Sequence, residues 1–255
     1  MRSLVLILLC ASSAFASPRV LLLWDVKNAQ TDALVRSLRA SGDEVVFSDT
    51  YGPGFTGDNP SLAGFDVVVH LNGTTYAEDM TQSGQRALVR FVQSGGGYVH
   101  HEWNAYQLSV GQLQLLRPII LFDRTSGFGP GQLTITKVPS DKGHPVIWEI
   151  PRTFSMPGAS NIGRAHVFET FPSVVLAKDQ TGNDAIAVRE LELGRVVGFH
   201  HAGNWNGMTL LDSGDARRLF VDAVHWAWGC DPNVKDPARE KNCAGIAALR
   251  KRAGK

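Results

Sequence analysis

Apolar and polar positions follow two regimes along this chain. In the first half, short unbroken apolar runs alternate with stretches whose apolar residues recur every three to four positions. Residues 19–25 (RVLLLWD) form a run that turns polar at its end, the pattern of a strand covered on both faces. Residues 29–42 place Ala33, Leu34 and Leu38 at helical spacing and supply Gly42 as a C-terminal stop. Residues 44–48 and 65–72 predict a second and a third strand. Leu88, Phe91 and Val92 share one helical face before the glycines at 95–97, and YVHH predicts a fourth strand. Such alternation predicts a parallel sheet with helices on both faces.

In the second half, the runs at 132–138, 165–169, 173–179, 185–191 and 195–201 are short and rich in β-branched residues, with turn signals such as TGND between them. They predict an antiparallel extension of the sheet. Residues 213–229 predict a long closing helix that packs Trp226 and Trp228 on the sheet. The expected fold class is α/β, a flavodoxin-like three-layer sandwich with a mostly parallel central sheet and that extension.

Composition adds size and compartment. With 255 residues, 44% of them hydrophobic, the chain can bury one sizeable core, expected over residues 17–229. Residues 1–16 carry Arg2, an apolar run from Leu4 to Ala11, and small residues at Ala14 and Ala16. This is the pattern of a signal peptide cleaved after Ala16, so a secreted or periplasmic protein is expected. The run is shorter than the roughly 20 apolar residues of a membrane span. Cleavage leaves 24 basic and 24 acidic side chains, a balance that suggests no nucleic-acid partner. It also leaves two cysteines, Cys230 and Cys243, in the basic tail at 230–255. In an oxidising compartment they predict a disulfide.

Ligand sites of open parallel sheets form beyond the carboxyl ends of the strands. The residues that end the predicted strands are therefore the candidates. Trp24 and Asp25 follow the first and Asn72 the third. His101, Glu102, Trp103 and Asn104 follow the fourth, and His200, His201, Asn204 and Trp205 the last. Their convergence predicts a pocket for a small-molecule ligand. The glycines at 95–97 precede their strand and so lack the geometry of a dinucleotide loop. No motif specifies a cofactor. A metal reading would draw on the histidines at 100–101 and 200–201 with Glu102 and Asp25. Adjacent strand histidines face opposite ways, however, and no helical HExxH pair is present, so no metal ligand is assigned.

Several segments together carry a resemblance: FDVVVHLNGTT, QRALVRFVQSGGGYV, GHPV at 143–146, and LGRVVGFHH before FVDAVHWAWG. In this order and spacing they resemble the trehalose-utilisation (ThuA-like) domains of the class I glutamine amidotransferase-like superfamily, over most of residues 19–229. In the amidotransferases of that superfamily the turn after the fourth strand holds a nucleophilic cysteine, and a histidine follows a late strand. Here the turn falls on Glu102, where ThuA-like proteins usually carry histidine, and GFHH at 198–201 resembles the late segment. The lack of a cysteine there argues against thiolate-dependent glutamine hydrolysis.

The resemblance implies a carbohydrate-related role. One expectation is an enzyme on a sugar or sugar derivative, with Glu102, His101, His200 and His201 supplying acid and base. The other is a non-catalytic binding protein that stacks its ligand on Trp24, Trp103 and Trp205. The structural alternative for Glu102 is a helix N-terminal carboxylate, and for His100 a hydrogen-bonded core residue.

Overall fold

The computed structural model describes residues 17–125, 132–139, 143–157, 164–200 and 214–229. Four strands form where the unbroken apolar runs fall: β1 (Arg19–Leu23), β2 (Glu44–Phe47), β3 (Val67–His70) and β4 (Gly97–His100). Between them lie α1 (Ala29–Ala40) and α2 (Gln82–Gln93). Local chemistry fixes where both helices begin. The Asn28 side chain accepts from the backbone N–H groups of Gln30 and Thr31, and Thr81 accepts from that of Gly84.

The described chain continues with α3 (Glu102–Ser109), β5 (Phe122–Thr125), β6 (Gln132–Lys137), β7 (Thr153–Pro157) and β8 (Arg164–Val167). It ends with β9 (Val174–Asp179), β10 (Asp184–Leu191), β11 (Gly194–Phe199) and α4 (Gly214–Trp228).

Nine strands make one sheet in the order β2-β1-β3-β4-β11-β10-β9-β6-β7. From β2 to β11 the strands are parallel, and from β11 to β7 each pairing is antiparallel. Side-chain alternation divides the core between the two faces. Val20, Leu22, Val69, Val99 and Val197 face α1 and α4, while Leu21, Val68, Tyr98 and Val196 face α2 and the segment at 113–122. The three-layer α/β architecture with an antiparallel extension is therefore present.

One strand departs from expectation. Residues 165–169 were expected in the main sheet, but β8 pairs with β5 in a separate two-stranded sheet. Asp184, at the start of β10, accepts from the Val167 backbone N–H and holds that small sheet against the large one. Among the described residues no helix is long and apolar enough to cross a membrane.

Candidate functional site

His100 ends β4 and His101 follows it at the start of α3, and their side chains go to opposite faces of the sheet. On the α2 face, Leu23, His70, His100 and Gly198 stand side by side in register across β1, β3, β4 and β11. Gly198 makes room for its neighbour, because a Cβ there would sit 2.6 Å from His100 Nε2 and 2.9 Å from Phe122. His100 Nε2 accepts from the Leu121 backbone N–H at 3.0 Å, so the ring proton belongs on Nδ1, which faces the His101 carbonyl at 3.4 Å. Burial lowers the pKa of His100 to about 3, with the neighbouring charges of His70, Arg189 and His200 adding to the effect. His70, bonded through Nδ1 to the Tyr98 hydroxyl at 2.8 Å, is likewise lowered by burial to about 3. Both rings are neutral near pH 7.

His101 turns to the other face. Its ring stacks on Phe220 of α4 at 5.2 Å and lies 5.9 Å from Phe199. Its backbone N–H donates to Asn104 Oδ1 at 3.0 Å, so Asn104 secures the start of α3. His100 and His101 thus cannot converge on one ion. Among the described residues, no cluster of three metal-ligating side chains occurs.

Glu102 opens α3 and is wholly buried. Its Oε1 accepts from Nε of Arg124 in β5, whose side chain is 7% exposed and whose guanidinium lies 4.7 Å from the Tyr106 ring centre. Two residues earlier in β5, Phe122 packs between His100, at 5.9 Å, and His200, at 5.7 Å. Strand β5 of the small sheet therefore runs past the carboxyl ends of β4 and β11, where Arg124 meets Glu102 and Phe122 packs against His100 and His200. His200 and Asn104 are buried as well.

The remaining candidates do structural work around this centre. Asp25 accepts from the backbone N–H groups of Val26 at 2.7 Å and Thr74 at 2.6 Å, joining the loops that follow β1 and β3. Asn72 donates to Gln107 of α3 and accepts from Gly73 N–H and the Thr75 hydroxyl. Trp103 packs with Tyr76 and Tyr106 at 5.0 and 5.2 Å. Trp24, half-buried, donates to the Ser48 carbonyl and has Lys27 Nζ 4.5 Å from its ring centre. His201, Asn204, Trp205, Cys230 and Cys243 lie outside the described residues, as do residues 1–16.

Arg124, Tyr106 and Gln107 were not anticipated. Arg124 lies in a four-residue strand with no apolar run, and Tyr106 and Gln107 follow a segment with no amphipathic period.

Superposition on solved structures places this architecture. A ThuA-like protein from Parabacteroides merdae matches with a TM-score of 0.63 over 87% of this chain and 94% of its own, at 16% identity. The chain has a ThuA-like fold. The same fold extends to a GMP synthase component from Thermoplasma acidophilum, with a TM-score of 0.54 at 10% identity over 92% of this chain and 98% of that one. It also matches 32% of a β-galactosidase from Bacillus circulans, with a TM-score of 0.58 at 13% identity over 86% of this chain. By sequence, no protein-family model and no curated protein matches. Within the ThuA-like fold, Glu102 occupies the turn between β4 and α3 and Arg124 reaches it from β5.

Proposed function

We propose that this chain is an exported ThuA-like protein that acts on a carbohydrate or sugar derivative through Glu102, without a cysteine nucleophile. The observation that carries this reading is the buried Glu102–Arg124 pair at the strand ends. Desolvating two charges costs several kcal/mol per ion, and well-packed apolar residues of similar volume would often serve stability as well or better. Their presence where sheets of this type bind ligands points to a use beyond stability.

The pairing refines the expected roles. A guanidinium favours negative charge on its partner, which supports reading Glu102 as a base or as a hydrogen-bond acceptor for a sugar hydroxyl in preference to an acid. His200, which packs on Phe122 of the same small sheet as Arg124, is the candidate to return the proton, with His201 beside it in sequence. His101, stacked against Phe220, positions α3 through its backbone. The carbohydrate class is supported by the ThuA-like fold and by its occurrence within a β-galactosidase.

The test is Glu102→Gln. This variant leaves Arg124 without its counter-charge and should melt below the wild type, yet at a temperature where it is fully folded it should lose turnover by about a hundredfold or more on whichever of a panel of glycosides and free sugars the wild type converts. Unchanged turnover would remove Glu102 from the reaction.

A second reading is a non-catalytic sugar-binding protein. The half-buried Trp24 beneath Lys27 favours it, since such a ring can also accept the face of a sugar. Trp103 and Trp205 would be its companions. In that case the wild type turns over no substrate, and Trp24→Ala weakens binding.

Export rests on residues 1–16 and on the cysteine pair. The exported protein should begin at Ser17 by N-terminal sequencing, and Cys230 and Cys243 should resist thiol titration until reduced.

A further inference from the structure

A cavity of about 750 Å³ lies at the opposite, amino ends of β3, β4 and β11. Phe91 forms part of its wall, with Leu62 and Leu193 supplying aliphatic surface and Arg90, Asp58 and Ser94 supplying polar groups. The size is within the range of small-molecule sites.

The cavity is held open by close packing. Gly57, at φ +102°, is pressed so tightly on α2 that a Cβ would sit 2.5 Å from that of Ala87. Gly96 lies against the Phe91 ring, where a Cβ would come within 2.3 Å. The β10–β11 turn is fastened to the end of α2 by a 2.7 Å bond from Gln93 to Glu192, which leaves Leu193 half exposed at the rim. A site held in shape by such contacts needs little ordering when a ligand arrives.

The chemistry of the wall selects the ligand. One guanidinium and one carboxylate, Arg90 and Asp58, give no net charge, which disfavours polyphosphates and dications. Among the described residues, neither group is engaged in a side-chain hydrogen bond or ion pair. Hydroxyl and amide groups that both donate and accept surround an aromatic ring and two leucines. A pyranose matches this mixture, with hydroxyls around its edge and weakly positive C–H bonds that pack on an aromatic face.

We infer that this groove is a second binding site, separate from Glu102, for a neutral saccharide of one or two rings. It does not depend on the reading of Glu102 as a catalyst.

The experiment is a two-dimensional amide NMR titration of the full chain with maltose, and with glucose 1-phosphate as the charged control. Maltose should shift the amides of Gly57, Phe91, Ser94 and Leu193 saturably. Arg90→Ala and Leu193→Asp, both at exposed positions, should each weaken that binding by about tenfold, and Glu102→Gln should leave it unchanged. The inference is overturned if maltose shifts no groove amides, if its shifts are confined to the amides following β3 and β4, if both groove variants bind as the wild type does, or if glucose 1-phosphate binds more tightly than maltose.

Discussion

Glu102, the first residue of α3, and Arg124, in β5, form an ion pair with side chains 0% and 7% exposed. The pair joins a helix of the main fold to the small sheet that runs past the strand ends. Removing only the cation leaves a buried carboxylate without its main counter-charge. Arg124→Met should therefore cost about 3–5 kcal/mol in urea unfolding. The double variant Glu102→Gln/Arg124→Met should recover a large part of that loss. Equal stability of the single and double variants would show that packing, not charge, is what Arg124 provides.

His70 and His100 give the fold an acid limit. Both have folded pKa values near 3, below the ordinary 6.5, so the unfolded chain takes up protons first as pH falls. Their burial as neutral rings costs nothing above about pH 6.5. Below it, stability falls by up to about 1.4 kcal/mol per pH unit for each histidine, down to about pH 3. Urea midpoints measured across this window should show that slope, and His70→Gln should reduce it by about half.

Arg189 tests a buried cation held by neutral acceptors. It is 5% exposed and donates to the carbonyls of Pro118, Phe171 and Pro172 and to the Ser173 hydroxyl. Burial lowers its pKa to about 10. Arg189→Met should cost about 1–3 kcal/mol, because several partly buried acceptors lose their donor. Arg189→Lys should rescue only part of this, since an ammonium cannot span the same fork of acceptors. Full rescue in thermal melts would contradict the geometry.

Gly198→Ala should displace His100. The added Cβ would stand 2.6 Å from its Nε2, so the bond from Leu121 N–H must lengthen or break. We expect a loss of about 1–3 kcal/mol and faster hydrogen exchange at the Leu121 amide. Protection at Leu121 equal to that of the wild type would show that the row across the sheet can relax.

Legibility in the sequence followed burial. Central strands such as VVVH at 67–70 are covered on both faces, so their apolar runs mark them directly. Helix α2 keeps one face in water and shows a clear period, whereas α3 is buried nearly all round and mixes Glu102, Asn104 and Gln107 with aromatics, so no period appears. Strand β5 alternates over only four residues, and β7, at the sheet edge, carries a proline at its end. These elements depend on partners far away in the chain, and nothing local announces them.

By itself the sequence determined the α/β class, the parallel half of the sheet and the place of Glu102 at the turn after β4, because periodicity and strand ends are local properties. Only the tertiary structure decided that β8 pairs with β5, that Arg124 meets Glu102, that His100 and His101 part company, and that a cavity of about 750 Å³ lies at the other end of the strands. Those facts arise from contacts between distant segments, where packing and charge select one arrangement among several that the same local patterns permit.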